Sequence, residues 1–247
     1  MKVTCYADAV IQSHLDKAAA RHVLTDVCAV IAAKQEGPSI SDIVTRTRAY
    51  AGEVIVVAGR STDGTPELAA ACGAKVIADA GKGKGEAIRC AIPHIRTPIT
   101  VFIDADGSHD PEDIPLLVEP ISADRADHVS GSRLKGGSSE LHGGFDEFFR
   151  LTGSSFITAC INWRFKCRLS ESQNGFRAIR TAVLRQLDLV EDSTTIEQEM
   201  IIKTLRRGFR MAEVPSHEHP RRHGVSHIRV WRSAPRYVWS LFKYLLF

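Results

Sequence analysis

The chain has 247 residues, of which 44% are hydrophobic, so it can bury a core of the size that one domain needs. This composition excludes disordered and collagen-like proteins. Thirty-two Lys and Arg residues oppose 29 Asp and Glu residues, which leaves a net charge of +3. That balance excludes a protein that wraps nucleic acid by neutralising phosphates, so any basic site must be local.

The cysteines and the distribution of apolar residues bear on the compartment. The six cysteines form no C-x-x-C pair, which indicates free thiols in a reducing compartment and excludes a disulfide framework or a zinc finger. No apolar run reaches the about 20 residues that span a bilayer. Residues 1–25 mix charged with small apolar side chains, unlike a signal peptide. We therefore expect a cytoplasmic protein, with any membrane contact peripheral.

From Asp26 onward, short β-rich runs alternate with helical patterns, as is typical of a mostly parallel sheet with helices on its faces. The fourth strand is continuously apolar, which indicates burial on both faces. A helix follows Pro111, since apolar residues repeat at helical spacing from Ile114 to Ile121. The predicted strands are 27–32, 53–57, 74–77 and 99–103, and the helices between them are 37–51, 65–72 and 85–92.

After Ser132 the alternation stops, because five glycines in residues 131–144 predict a loop. Apolar residues from Phe145 to Trp163 then mark one face of a long helix. A short strand at 176–179 and a helix at 195–207 follow. The predicted organisation is a helical N-terminal extension at 1–25, a single α/β domain at 26–228 and an amphipathic C-terminal helix at 229–247.

The C-terminal segment from Trp231 to Phe247 combines apolar, aromatic and basic side chains. One interpretation is a helix that packs on the body of the protein or on a second subunit. The other is a helix that lies on a membrane surface. Both interpretations are compatible with the sequence.

An acidic turn follows the fourth strand. Asp104 and Asp106 are one residue apart at the carboxyl end of that strand, where open α/β sheets bind their ligands. Two carboxylates on one turn suit a hard cation such as Mg²⁺ or Mn²⁺ that also carries a phosphate. The alternative is an Asx turn that caps the helix beginning at Pro111.

Six motifs in order along the chain narrow the interpretation of this turn. They are DADGSHDPEDIP from Asp104, SGSR, LSESQNGFRAIR, TIEQEM, GFRMAEVP, and Arg221 with Gly224 and Ser226. The set resembles family 2 of the glycosyltransferases, inverting nucleotide-sugar enzymes of GT-A fold, and within it the dolichyl-phosphate mannosyltransferase group. The resemblance implies that residues 26–228 form a GT-A (Rossmann-like) catalytic domain.

The resemblance also implies functions for individual residues. Mn²⁺ or Mg²⁺ would be held by Asp104 and Asp106, with His219, or else His217, as the third ligand unless these histidines are merely exposed on a loop. The catalytic candidates are Asp104, Asp106, Arg133, Glu171, Glu199 and Arg221. The candidates for binding the nucleotide-sugar are Lys34, Glu36, Arg60, Lys82, Lys84, Asp104, Ala105, Arg133 and Arg177.

Each basic or acidic candidate has a structural alternative. Lys82 and Lys84 would begin a helix at which glycines allow close approach and the N-terminus favours anions, unless they are solvated surface lysines. Arg133 and Arg221 would face phosphates, with a structural ion pair as the alternative. Acids such as Glu199 could act as a base or support the fold, and an acceptor that is already a phosphate needs no base.

The match departs from the family in the nucleotide half. The second strand usually ends in one or two aspartates, one of which reads the base, whereas this chain has Ala58, Gly59 and Arg60 there. The first strand usually leads to Asn-Glu, of which only Glu36 is present. Base recognition must therefore differ, or the substrate must.

Three functions fit these features. The first is a glycosyltransferase that moves a hexose from a GDP- or UDP-sugar to a polyprenyl phosphate or a soluble acceptor. The second is a pyranose–furanose mutase that acts on a GDP-sugar through the same weakening of the sugar–phosphate bond. The third is a protein that binds nucleotide-sugars without catalysis, which the two aspartates disfavour.

Overall fold

The computed structural model describes residues 4–5, 23–139, 145–221 and 230–246. Its N-terminal half contains the strands β1 Thr4–Cys5, β2 Leu24–Ala32, β3 Ala51–Val57, β4 Lys75–Ile77 and β5 Ile99–Asp104, and the helices α1 Gly37–Arg48, α2 Thr65–Ala71, α3 Lys84–Ala91 and α4 Ile114–Ser122. Its C-terminal half contains the strands β6 His128–Ser132, β7 Arg177–Arg180 and β8 Met211–Pro215, and the helices α5 Arg133–Gly136, α6 Phe145–Phe165, α7 Thr181–Gln186, α8 Ile196–Arg206 and α9 Val230–Leu246.

The strands of the described residues form one eight-stranded sheet in the order β1-β8-β6-β7-β5-β2-β3-β4. Strand β7 is antiparallel to β5 and β6, and the other neighbouring pairs are parallel. The mostly parallel α/β sheet predicted from the sequence is therefore confirmed. The strand order reverses at β2, since β3 and β4 extend the sheet on one side and β5 on the other. Open sheets of this kind bind ligands at the carboxyl ends of the strands where the order reverses.

Helices cover both faces of the sheet. Side chains alternate between the faces along a strand, and in β2 Val27 belongs to the same buried cluster as Ile43 of α1. Cys28 and Val30 of β2 lie on the opposite face and belong to a second cluster with Ile88 of α3. The core is therefore split into two apolar layers, one on each side of the sheet.

The C-terminal helix α9 packs on the body of the protein with one face. Its residues Leu241 and Tyr244 are buried in a third cluster with Ile161 of α6 and Leu205 of α8. The opposite face is open to solvent, with Trp239 72% exposed. No helix in the described part of the chain is long and apolar enough to cross a bilayer.

The sequence does not predict β6 or β8. Every residue of β6 is buried although its sequence is HVSGS, because hydrogen bonds take the place of apolar contacts. His128 Nδ1 lies 3.0 Å from Thr204 Oγ1, and Ser132 Oγ lies 2.6 Å from Ser170 Oγ. A buried polar strand of this kind lacks the apolar pattern on which strand prediction rests.

The N-terminal extension predicted as helical lies almost wholly outside the described residues. Its described part contains the short strand Thr4–Cys5, which pairs with β8, and the beginning of β2. Of the loop predicted at 131–144, residues 131–132 belong to strand β6 and residues 133–136 form the single turn of helix α5, because the chain continues in regular structure to Gly136. Residues 140–144 lie outside the described residues.

Ile43 tests the apolar layer beneath α1. Its side chain is fully buried against the sheet, so Ile43→Ala should lower the free energy of unfolding by about 2–5 kcal/mol through lost burial and a residual cavity. Trp163→Ala, at a side chain that is 82% exposed, should change it by less than about 0.5 kcal/mol. Urea denaturation followed by circular dichroism measures both values. Equal losses in the two variants would contradict the layers described above.

Candidate active site

A cleft of about 430 Å³ lies at the carboxyl edge of the sheet, where the strand order reverses. The ends of β2 and β5 lie side by side in it, with Ala32 and Asp104 paired in register. Phe156 of α6 and Tyr237 of α9 contribute to one wall. The candidates from the sequence that line this cleft are Lys34, Glu36, Lys84, Asp104, Ala105, Asp106, Arg133 and Arg221.

Asp104 is paired with a lysine from α3. Lys84 Nζ lies 2.5 Å from Asp104 Oδ1 and 2.7 Å from Glu197 Oε1. Burial by itself would lower the pKa of the Lys84 ammonium, but the two carboxylates outweigh burial and hold this pKa above its ordinary value. Burial would raise the pKa of Asp104, and the Lys84 charge holds it below its usual range instead. Both groups are therefore charged at neutral pH.

The glycines around Lys84 serve packing, which differs from the function expected from the sequence. Gly85 N donates to the carbonyl oxygen of Asp192 at 2.9 Å, and a Cβ on Gly85 would lie 2.2 Å from the carbonyl oxygen of Glu191. The start of α3 is therefore engaged by a loop of the protein. Gly175 leaves room for the ammonium group of Lys84 in the site, since a Cβ there would lie 2.3 Å from Lys84 Nζ.

Asp106 belongs both to an Asx turn and to the cleft. Its Oδ1 accepts hydrogen bonds from the amide and the hydroxyl of Ser108 at 3.0 and 2.7 Å. Its Oδ2 lies 3.0 Å from Arg221 Nη2. The structural and the functional interpretations of this turn are therefore compatible, because one oxygen orders the turn and the other faces a cation.

Asp104 and Asp106 together form a donor set that suits Mg²⁺ or Mn²⁺ with positions left for diphosphate and water. No group of three His, Cys, Asp or Glu side chains that could hold a metal ion occurs among the described residues. The structure places His219, the expected third ligand, against Asp110, with Nε2 at 2.7 Å from Oδ2. His217 Nδ1 lies 3.1 Å from a backbone carbonyl oxygen. His223 and His227, the other two histidines of residues 216–227, lie outside the described residues.

Arg133 is engaged by two carboxylates. Its Nε lies 2.6 Å from Glu171 Oε1 and its Nη1 lies 2.7 Å from Glu218 Oε1. Burial would lower the pKa of the Arg133 guanidinium, but Glu171 and Glu218 raise it. Glu171 is buried and does not line the cleft, so it supports Arg133, whereas Glu218 lines the cleft beside it.

Three basic candidates lie outside the lining of the cleft. Arg60 and Lys82 are exposed. Arg177 is fully buried behind the cleft, where its Nη1 donates to the carbonyl oxygen of Glu197 at 3.0 Å. Burial lowers the pKa of the Arg177 guanidinium. Arg177 therefore supports α8 instead of meeting a ligand.

Glu199 is a structural carboxylate in this structure. It is fully buried and accepts hydrogen bonds from the backbone amides of Val190 and Glu191, both at 2.9 Å. Its third partner is Lys203 Nζ at 2.7 Å. The carboxylate of α8 that lines the cleft is Glu197, two residues earlier.

The family model described as Glycosyl transferase family 2 matches residues 28–193, more than half of the chain. The chain belongs to glycosyl transferase family 2. The matched range includes Lys84, the Asp104–Asp106 turn and Arg133, and it ends before Glu197 and Arg221.

Two curated relatives illustrate the membership of this family. Glycosyltransferase AglJ of Haloferax volcanii is 30% identical over 201 residues, which cover 80% of this chain and 64% of AglJ. The chain thus spans less than two thirds of the length of AglJ. Dolichyl-phosphate hexose transferase of the same organism is 29% identical over 201 residues, which cover 78% of this chain and 83% of that protein.

A solved structure of similar fold is glucosyl-3-phosphoglycerate synthase from Mycobacterium tuberculosis in complex with Mn²⁺, uridine-diphosphate and glucosyl-3-phosphoglycerate. It matches this chain with a TM-score of 0.69 at 21% identity, covering 89% of this chain and 79% of the synthase. At this identity the likeness concerns the fold, and it confirms the GT-A architecture expected from the family.

Several cleft residues are absent from the candidates that the sequence suggests. His109 is buried against the ring of Phe176, with centroids 5.2 Å apart, and its Nδ1 has no hydrogen-bond partner among the described residues. Burial lowers the pKa of this imidazole. The sequence could indicate His109, because this residue lies in the Asp104 motif. No local pattern indicates Asp79, because its position in the cleft depends on the pairing of β4 with β3.

Glu197 and Glu199 are a matched pair for separating site from support. Glu199→Gln should lower the free energy of unfolding by about 2 kcal/mol, because a buried carboxylate that binds two amides loses its charge. It should leave the dissociation constant of uridine-diphosphate with Mn²⁺, used as a probe of the cleft, unchanged. Glu197→Gln should raise that constant by about 5- to 10-fold, because Glu197 no longer fixes the position of the Lys84 ammonium in the cleft. Thermal denaturation and calorimetric binding measure these effects, and a larger change of the dissociation constant in Glu199→Gln would contradict the assignment.

Proposed function

We propose that this family 2 member transfers a hexose from a nucleoside-diphosphate sugar to a polyprenyl phosphate. The observation that carries the proposal is a cleft in which two carboxylates on one turn lie against cations, and whose mouth is apolar. Asp104 and Asp106 pair with Lys84 and Arg221, and exposed side chains of α6 and α9 surround the mouth. The charged part suits a diphosphate donor and the apolar part suits a lipid acceptor.

The donor half of the proposal rests on the charged groups. Mn²⁺ or Mg²⁺ held by Asp104 and Asp106 would offset the negative charge that gathers on the leaving diphosphate. The synthase of similar fold, solved with Mn²⁺ and uridine-diphosphate, supports this choice of ion. The chain's own cations, Lys84 and Arg221, line the same cleft and bind the diphosphate oxygens in this proposal.

The acceptor half rests on the apolar mouth surface, which we define as Phe156, Val238, Trp239, Phe242 and Leu246. All five side chains are more than 40% exposed, and Phe156 and Val238 also line the cleft. Exposed apolar patches of this kind mark sites of lipid or protein contact. The exposed Arg236 on the same helix suits anionic head groups. A prenyl chain lying on this surface would bring its phosphate to the cleft.

The chemistry of such an acceptor fits the carboxylates that are present. An acceptor phosphate oxygen attacks the anomeric carbon while the bond from that carbon to the donor diphosphate breaks. The acceptor oxygen is already ionised, so no cleft carboxylate has to act as a general base. This agrees with the arrangement of Glu171 and Glu199, which are both committed to other groups of the protein.

A transferase is favoured over the two alternatives that the sequence leaves open. The family and both relatives are named as transferases, and nothing comparable supports a mutase or a binding protein. An isomerase would have no use for an apolar mouth surface, because it has no acceptor to receive. The same surface favours a lipid acceptor over a soluble one.

Asp106→Asn tests the donor site. The amide keeps the hydrogen bonds with Ser108 and loses the charge that a metal ion needs, so transfer of labelled hexose from a nucleotide-sugar to polyprenyl phosphate should fall by about 100-fold or more. Removal of divalent ions by EDTA should abolish transfer, and Mn²⁺ should restore it. Asp42→Asn, at a carboxylate on the outside of α1, is the control. Full activity in Asp106→Asn would contradict the proposal.

Phe242→Glu tests the apolar mouth surface. A charge on this face should lower the partition of the protein onto anionic liposomes by about 10-fold or more, since burial of one large apolar side chain contributes about 1.5–3 kcal/mol. Sedimentation with liposomes and transfer to a membrane-embedded acceptor should fall together. Activity with a short, water-soluble prenyl phosphate should stay unchanged.

The control for this experiment is Val23→Glu, at an exposed apolar residue beside the beginning of β2, on the opposite edge of the sheet. It should leave both sedimentation and transfer as they are in the parent protein. If Phe242→Glu behaves like Val23→Glu, the mouth surface does not meet lipid.

A further inference from the structure

The ends of β3 and β4 form the part of the cleft in which this chain departs from its family. Ala58 and Gly59 follow β3 without a carboxylate, although a base-reading aspartate is expected there. Strand β4 lies parallel to β3, with Val57 opposite Ile77, so both strands end at the same edge. Asp79 follows β4 and lines the cleft together with Gly59.

Asp79 takes the space that a side chain on residue 59 would need. A Cβ added to Gly59 would lie 1.9 Å from Asp79 Oδ1 and 2.3 Å from the Asp79 carbonyl oxygen. No side chain fits there unless the backbone after β4 moves. The position of Asp79 therefore requires a glycine at 59. The carboxylate at this edge comes from the end of β4 instead of the end of β3.

The Asp79 carboxylate is available to a ligand. Throughout the ranges that the structure describes, this side chain has neither a hydrogen bond nor an ion pair, unlike Asp104 and Asp106. Gly59 and Gly81 line the cleft together with Asp79, and the aliphatic part of Arg60 lies against Gly81. A ligand can therefore bind the Asp79 carboxylate without breaking a hydrogen bond among the described residues.

The pattern of hydrogen-bond donors on each base decides which base such a carboxylate can bind. An ionised carboxylate offers acceptors only. Guanine presents two adjacent donors, N1–H and the 2-amino group, which match the two oxygens. Uracil presents one N–H between two carbonyl oxygens, and adenine and cytosine place a ring acceptor beside their amino group, so each of these sets an acceptor against a carboxylate oxygen.

We propose that Asp79 reads the base of the donor and selects guanine, so that the substrate of the proposed transferase is a GDP-sugar. The inference rests on the proposed function, because it assumes that a nucleotide occupies the cleft. It assigns the base-reading group to a strand end other than the one that carries it in the family, and it makes Gly59 a requirement of that assignment.

Calorimetric binding of nucleoside diphosphates with Mn²⁺ tests this inference without an acceptor or turnover. The parent protein should bind GDP at least about 5-fold more tightly than UDP or IDP, since a bidentate base contact contributes about 1–3 kcal/mol of discrimination. IDP is the sharper probe because it lacks only the 2-amino group. Asp79→Asn offers one acceptor and one donor, so it should lose the preference for GDP over IDP and bind UDP more tightly than the parent does.

Asp79→Ser is a second variant for the case in which Asp79→Asn folds poorly, and it should bring the ratio of GDP to IDP affinity close to one. Asp42→Asn should keep the parent ratio. Equal affinities for GDP and UDP in the parent, or a ratio unchanged in both Asp79 variants, would overturn the guanine inference while the transferase proposal stands. Failure to bind any nucleoside diphosphate would overturn both.

Discussion

The site depends on one electrostatic constraint, which is that two carboxylates lie on a single turn of a partly buried cleft. Like charges so close together are unfavourable unless cations compensate them. Lys84 from α3 and Arg221 from the segment after β8 supply this compensation, each within 3.0 Å of one carboxylate. Because Lys84 and Arg221 are far apart in the chain, the fold has to bring α3, β5 and the segment after β8 to the same edge of the sheet.

The groups behind the cleft serve this constraint. Glu197 of α8 holds Lys84, and the buried Arg177 holds the backbone of Glu197. Glu171 and Glu218 hold Arg133 in the same way. Fixed charges of this kind need little reorganisation when a charged group enters, which is the condition under which electrostatic stabilisation of a leaving group is most effective. In the proposed function these cations have two partners in turn, the carboxylates of the protein and the phosphates of a substrate.

The sequence predicts those parts of the fold and site that local patterns encode. Short β-rich runs between helical patterns predict the strands that flank the cleft, and the Asp104 motif predicts the turn. Glu197 and Glu199 show the limit, since they are two residues apart on α8 and only the docking of that helix decides which one faces the cleft. Asp79 depends on the pairing of two strands, and β6 is buried through side-chain hydrogen bonds, so neither leaves a local pattern.

The central claim is that the turn at Asp104 and Asp106 holds the metal and the diphosphate of the donor. The most direct measurement is an anomalous difference map from crystals grown with Mn²⁺ and GDP, recorded at the manganese absorption edge. The account predicts one strong peak beside the carboxylates of Asp104 and Asp106, in contact with the diphosphate. A peak at His217 and His219, or a diphosphate bound away from the turn, would contradict it.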